Sequence, residues 1–286
     1  MPLDQRPDDG RSLTFDTEPL GARIEILGAP TVELDLAVDE SNALLAVRLN
    51  DVQPDGTSTL VTYGLLNLSH RDGHEQPEAL EPGTFYRVRI QLNDIAHAFP
   101  AGHRIRIAVS TSYWPIAWPS PQPVIVTLRT GNSVLYLPER PVSPDDDRLR
   151  PFEPPAAAAG PRRQTLRELP LKRTIEIDLA TNETVYTFQS GEFGAALARI
   201  DAIEMDLGAT FLKRHRISEY DPLSAQTEIV QRTIMRRKDW SVRVESRVRL
   251  SATRDTFQFS ADLEAFEDDE PFGQRTWQLA IPRQLV

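Results

Sequence analysis

Cysteine is absent from all 286 residues, so disulfide stapling and thiol chemistry are both excluded. Lysine is missing from the first 150 residues, which hold 21 Asp and Glu against 13 Arg. The whole chain carries a formal charge of −10. That balance excludes a nucleic-acid footprint, because phosphate backbones demand clustered basic residues. Nor does any apolar run approach the roughly 20 residues that cross a bilayer as a helix. The first residues, MPLDQRPDDGRS, are polar and acidic, so they read as a linker-like start rather than a secretory leader. Together these absences place the chain, as an expectation, in the cytoplasm, without nucleic acid or membrane as partner.

Convincing helices are missing as well. Up to residue 140 the pattern has period two, which sets alternate side chains on opposite faces of a strand. Val32, Leu34, Leu36 and Val38 alternate with Glu33, Asp35 and Ala37. Tyr86, Val88, Ile90 and Leu92 alternate with Arg87, Arg89 and Gln91. Leu45, Val47 and Leu49 precede Gln53-Pro54-Asp55-Gly56, a turn signal. Further strands are predicted at Leu13–Phe15, Ile24–Ile26, Thr59–Leu68, Val124–Leu128 and Val134–Leu137. Eight or nine short strands with Pro/Gly turns predict a jelly-roll β-sandwich over residues 1–140.

Residues 141–166 read as a connector: prolines, the acidic run Asp145–Asp147 and a short alanine run between Pro155 and Pro161. Beyond it, residues 167–286 predict a second antiparallel β-domain. Trp240, Val242, Val244, Val248 and Leu250 share one face, with Arg243, Glu245, Arg247 and Arg249 on the other. Phe257, Phe259, Ala261, Leu263 and Ala265 repeat the pattern, as do Trp277, Leu279 and Ile281. Such a meander has one dry and one charged face. Thr174–Leu179, Val185–Phe188 and Ala202–Leu212 are expected to cover the dry one.

The strand Ile105, Ile107, Val109 runs into a loop with Tyr113, Trp114 and Trp118 among Pro115, Pro119, Pro121 and Pro123. Prolines deny that loop a place in a sheet. Its aromatic side chains are therefore the candidates for docking or ligand contact.

Catalytic constellations are not found. Gly131-Asn132-Ser133-Val134-Leu135 lacks the closing glycine of a nucleophile elbow and reads as a turn before a strand. His70 and His74 straddle Asp72-Gly73, a turn, so their spacing does not place them on one helix face. His97 and His103 flank Phe99-Pro100-Ala101-Gly102 and are expected to stabilise that turn. No metal ligand set, phosphate loop or cofactor motif is present, so no metal and no cofactor are predicted.

An ordered series of segments carries a resemblance: DDGRSLTFDTEPL (8–20), ILGAPTVELDLAVD (26–39), VRLNDVQPDGTSTLVTYGLLNLSHR (47–71), EPGTFYRVRIQL (81–92), FPAGHRIRIAVSTSYWP (99–115) and LYLPER (135–140). The chain resembles the C-terminal non-catalytic domain of X-prolyl dipeptidyl-peptidases and cocaine-esterase-like serine hydrolases. Residues 167–286 are more loosely similar to the extra β-domain of some bacterial members, through Asp221-Pro222-Leu223-Ser224-Ala225 and Asp239-Trp240. The resemblance implies a jelly roll packed on an α/β-hydrolase domain that carries the Ser-Asp-His triad. That domain, on the same or a separate chain, is the implied partner. No triad position lies in this sequence, and His70, His74, His97, His103 and His215 do not supply one. The chain is then a buttress that shapes the hydrolase entrance. The alternative is a stand-alone carbohydrate- or ligand-binding β-sandwich, with Tyr113, Trp114 and Trp118 as its platform. Self-association is a further way to cover that aromatic patch.

Overall fold

A computed structural model describes residues 4–192 and 194–286. The chain divides into two compact units, each described by itself. The first runs from residue 4 to Ser120, with Val124–Phe152 and Leu285–Val286; the second holds Pro121–Pro123 and Glu153–Gln284. Both are built of strands, and the one α-helix among the described residues, Arg6–Asp9, has four residues.

The first unit contains β1 (Leu13–Asp16), β2 (Ile24–Gly28), β3 (Thr31–Val38), β4 (Leu44–Val52), β5 (Ser58–Asn67), β6 (Tyr86–Gln91), β7 (Ile95–Phe99), β8 (Arg104–Ser110), β9 (Val126–Leu128) and β10 (Val134–Tyr136). One sheet has the order β1-β8-β4-β5. The other has β10-β3-β6, with β9 also on β3, and β2 pairs with β7. All pairs are antiparallel. Each sheet turns one apolar row inward: Leu45, Val47, Leu49, Ile105, Ile107 and Val109 from the first meet Val32, Leu34, Leu36, Val88 and Ile90 from the second. The alternation in the sequence thus marks the core, and burying it is the main drive to this fold. Gly56 takes a positive φ of 86° in the β4–β5 turn, where a side chain would be strained. An apolar cavity of about 160 Å³ remains near the β1 and β10 edges, lined by residues such as Phe15, Leu34, Ile107 and Leu128.

One expectation needs correction here. The first residues of the chain are no linker: Asp9 is 6% exposed and Gln5 8%, and Asp9 meets Arg106 on the outward face of β8. β7 was also not anticipated, because Ile95-Ala96-His97-Ala98-Phe99 carries only two large apolar side chains.

The second unit comprises β11 (Arg163–Glu168), β12 (Lys172–Asp178), β13 (Glu183–Gly191), β14 (Ala195–Ile200), β15 (Met205–Ser218), β16 (Asp221–Arg237), β17 (Trp240–Ala252), β18 (Thr256–Glu267) and β19 (Glu270–Pro282). All nine join one sheet, β11-β14-β15-β16-β17-β18-β19, with β13 also on β15 and β12 on β13. β11 starts at Arg163, so the irregular connector ends before residue 166. The segments expected to cover the dry face extend the sheet sideways instead: Thr174–Leu179 and Val185–Phe188 fall in β12 and β13, and Ala202–Leu212 leads into β15. The reason is backbone satisfaction. Each of these segments gains a full ladder of hydrogen bonds edge-on, which stacking would not supply. Where β14 leaves β15 the approach is close, and a Cβ on Gly208 would collide with the Ala196 carbonyl.

Candidate functional site

The aromatic loop and the covered face of the first sheet form the most elaborate side-chain assembly in the first unit. In β4, Val47 and Leu49 point to the core, so Arg48 and Asn50 point outward, with Arg106 from β8 beside them. Arg48 is nonetheless 1% exposed and Asn50 fully buried. Asp9 from the short helix is the anion that makes this tolerable. Its Oδ1 takes the Arg48 Nη2 at 3.1 Å and a hydrogen bond from Asn50 Nδ2 at 3.0 Å. Its Oδ2 accepts from Ser58 Oγ at 2.7 Å and Arg106 Nη1 at 3.0 Å. Arg48 also donates to Gln5 Oε1 at 2.8 Å and Ser12 Oγ at 3.0 Å. Arg106 grips Asp16 with two bonds of 2.7 Å, which holds its guanidinium far up in the charged range. A buried carboxylate with four donors is chemically quiet: its lone pairs are occupied, and it has no access to a substrate.

The loop sits against this network. Arg48 lies opposite Tyr63 in the ladder, and the Tyr113 ring meets Tyr63 at 5.2 Å. Burial pushes the Tyr113 hydroxyl up, partly offset by the charge of Arg48. Trp114 and Trp118 pack edge to face on each other, ring centres 5.3 Å apart. Ile116 and Ala117 donate backbone N–H bonds to Tyr113 O at 2.8 and 3.0 Å, and Ser120 Oγ accepts from Leu44 N at 3.0 Å. The Trp114–Pro115 peptide is cis. The three sequence candidates therefore separate: Tyr113 turns to the sheet, while the tryptophans pair, half-buried. Ile116, 58% exposed, is the apolar side chain the loop offers outward. Two indoles at 82° to each other do not form the flat platform on which sugar rings stack.

The histidines are placed as follows. His97 Nε2 and His103 Nδ1 flank one carboxylate, Asp51 at the end of β4, at 3.2 and 2.7 Å. This ties the β7–β8 turn to β4, a longer-range bond than the local turn stabilisation expected for them. His70 and His74 approach each other on the surface, Nδ1 to Nδ1 at 3.2 Å. His215 lies in the second unit and meets Thr227 Oγ1 at 2.9 Å. Among the described residues no cluster of His, Asp or Glu is arranged to hold a metal ion. None of these histidines meets a serine hydroxyl in the bonds described. The Asp9 and Asp51 clusters were missed by sequence reading because their members lie 40 to 100 positions apart. The only local signal was an arginine at an outward position of a strand whose other outward neighbours are small or amide side chains.

Comparison with known proteins adds what the geometry does not. Residues 2–149 match the family described as X-Pro dipeptidyl-peptidase C-terminal non-catalytic domain. A cocaine esterase from a Rhodococcus species is 31% identical over 116 residues, which is 40% of this chain and 20% of that protein. The matched part of this chain thus spans about a fifth of that relative's length. Among solved structures, an α-amino acid ester hydrolase is 27% identical, with a TM-score of 0.46 over 49% of this chain and 27% of its own. An aminopeptidase from a Thaumarchaeota archaeon is also 27% identical, with a TM-score of 0.41 over 42% of this chain and 22% of its own. Among the described residues, no helix is long and apolar enough to cross a membrane.

Proposed function

Because the chain belongs to the family of X-Pro dipeptidyl-peptidase C-terminal non-catalytic domains, we propose that it is the non-catalytic β region of a dipeptidyl-peptidase- or esterase-type serine hydrolase. In this reading the first unit is a jelly roll that buttresses an α/β-hydrolase domain and shapes its entrance. The two units are joined through the connector, which ends where β11 begins at Arg163. The match over residues 2–149 carries the reading. The aromatic loop supports it: Ile116 stands outward on a base fixed by Tyr113, Trp114 and Trp118, and a rigid apolar knob of this kind is a usual anchor of a protein interface. The Asp9 network supports it too, by holding the first residues of the chain on the sheet beside that loop.

The test uses the purified chain and a hydrolase domain of the same family supplied in trans. Alone, the chain is expected to turn over neither p-nitrophenyl esters nor X-Pro-nitroanilides; turnover abolished by changing one serine would sink the proposal. Ile116→Glu leaves the sandwich folded, because the side chain is largely in water, and should weaken association at least tenfold. Trp114→Ala with Trp118→Ala should weaken association and also lower stability, since both indoles are half-buried. Association unchanged by Ile116→Glu would remove the loop from the interface. Limited proteolysis should cut between 149 and 162, where no ladder protects the backbone.

A further inference from the structure

The two faces of the second unit's sheet differ in composition. On one face, Arg232 and Arg243 reach Glu245, and Arg247 and Arg249 reach Glu228, at up to 3.6 Å. This face is charged along its length, Arg214, Arg216 and Arg236 included, and carries no continuous apolar row. On the other face the register builds a cross-strand row: Arg173 opposite Phe188, then Lys213, Ile229, Val248, Ala261 and Trp277. The centre of that row is aliphatic. Cations flank that centre, and each leans on a ring: Arg173 at the β12 end over Phe188 at 5.8 Å, Lys213 on β15 over Phe211 at 5.3 Å, and Arg275 on β19, next to the row, over Trp277 at 5.1 Å. Among the described residues none of these three cations has a carboxylate partner within ion-pair distance. Apolar side chains on this face remain open: Ile175 is 54% exposed, Leu279 53% and Ile281 47%. All nine strands join one sheet among the described residues, and where β14 crowds a face, at Gly208 opposite Ile234, it is the other one.

We propose that this face is a docking surface for an amphipathic helix of a protein partner, with Asp or Glu flanking its apolar stripe. Width is the first argument. Lys213 on β15 and Arg275 on β19 are four strand spacings apart, about 19 Å. A helix about 10 Å across, laid along β16–β18, fills that gap and leaves one acidic side chain's reach on either side. Length is the second: strands of 12 to 17 residues extend about 40 Å and accept a helix of 20 residues or more. Charge is the third. A second copy stacked face to face would set cations near cations. An anionic bilayer would meet a chain of net charge −10, whereas an acidic helix needs only the local row.

The test takes the whole chain and two synthetic 20-residue amphipathic helices with the same leucine stripe, one flanked by Glu and one by Lys. Binding is followed through Trp240 and Trp277 fluorescence and by calorimetry. The Glu peptide should bind, the Lys peptide at least tenfold more weakly. Lys213→Glu with Arg275→Glu should reverse that preference. Both side chains are exposed, so the variant is expected to keep the wild-type circular dichroism and urea midpoint. Equal binding of the two peptides, or none, would overturn the proposal. So would a dimer in light scattering that the double variant disperses, or tighter binding to phosphatidylglycerol vesicles than to the Glu peptide, lost in that variant.

Discussion

The first unit hides both sides of its central strands, whereas the second leaves both sides of its sheet largely open. In β4 the inward row Leu45, Val47, Leu49 is fully buried, and the outward row Arg48, Asn50 is nearly so. In β17 no residue is buried, and Val244, in the middle of the apolar row, is 36% exposed. The difference teaches where each unit's stability comes from. The first relies on layers: removing water from two apolar faces, then sealing a polar face with an ion network. The second relies on long ladders and on neighbours across strands, which contribute roughly 0.2–1 kcal/mol per pair.

The largest effect that would break this comparison lies at Asp9. Asp9→Ala leaves Arg48 buried without its counter-charge, and half-removed buried pairs cost about 3–5 kcal/mol. Urea unfolding of the whole chain should show the transition of the first unit move by that amount, with the second unchanged. A shift below about 1 kcal/mol would mean that water reaches Arg48 and that the outward face is not sealed. Asp9→Asn, which retains hydrogen-bonding atoms, should cost less than Asp9→Ala.

A matched pair of truncations sharpens the same contrast. Leu49→Ala removes a fully buried side chain from between two sheets and should cost about 2–5 kcal/mol. Leu279→Ala removes one that is already 53% exposed and should cost under about 1 kcal/mol. Both are read from denaturant midpoints at constant slope. If Leu279→Ala proves as costly as Leu49→Ala, the apolar face of the second unit is covered in solution.

Legibility in the sequence follows the same division. Period two located nine of the ten strands in the first unit and the three terminal strands of the second, because each carries a large apolar residue at every other position. The all-β class followed from that alternation and from turn signals such as Gln53-Pro54-Asp55-Gly56, where Gly56 adopts a positive φ of 86°. β7 escaped because His97 interrupts its inward row of Ile95 and Phe99, and β14 because alanines occupy much of its row and contribute little to periodicity. The dry face of the meander was legible, but its cover was not. Whether an amphipathic strand stacks on a sheet or joins its edge depends on ladder partners far along the chain. Tyr113, Trp114 and Trp118 were legible as a group through their prolines. Their separation into a ring on Tyr63 and an indole pair was not, since it depends on Arg48 and Tyr63 in two other strands. The Asp9 network was the least legible, because a polar N-terminus looks alike whether it is solvated or seated.

The smallest effect tests the open face of the second unit through a single proton. His215 is half-buried on that face, bonded to Thr227, opposite Tyr186 in the ladder, against the Phe188 ring and near Lys213. Burial, followed by the charge of Lys213, holds its imidazole below the usual histidine value of 6.5. The folded chain therefore takes up this proton less readily than the unfolded one. Stability is complete above about pH 6.5, declines as pH falls below it, and levels off below the folded value. His215→Gln should remove that acid-side decline and leave stability at pH 8 almost unchanged, a smaller effect than either substitution above. An acidic helix on the face would offset the charge of Lys213, so the imidazole titration followed by NMR should move upward when the Glu peptide is bound. A titration that moves downward would mean that docking buries His215 without bringing a carboxylate near it, and an unmoved one would set the docked helix away from Lys213.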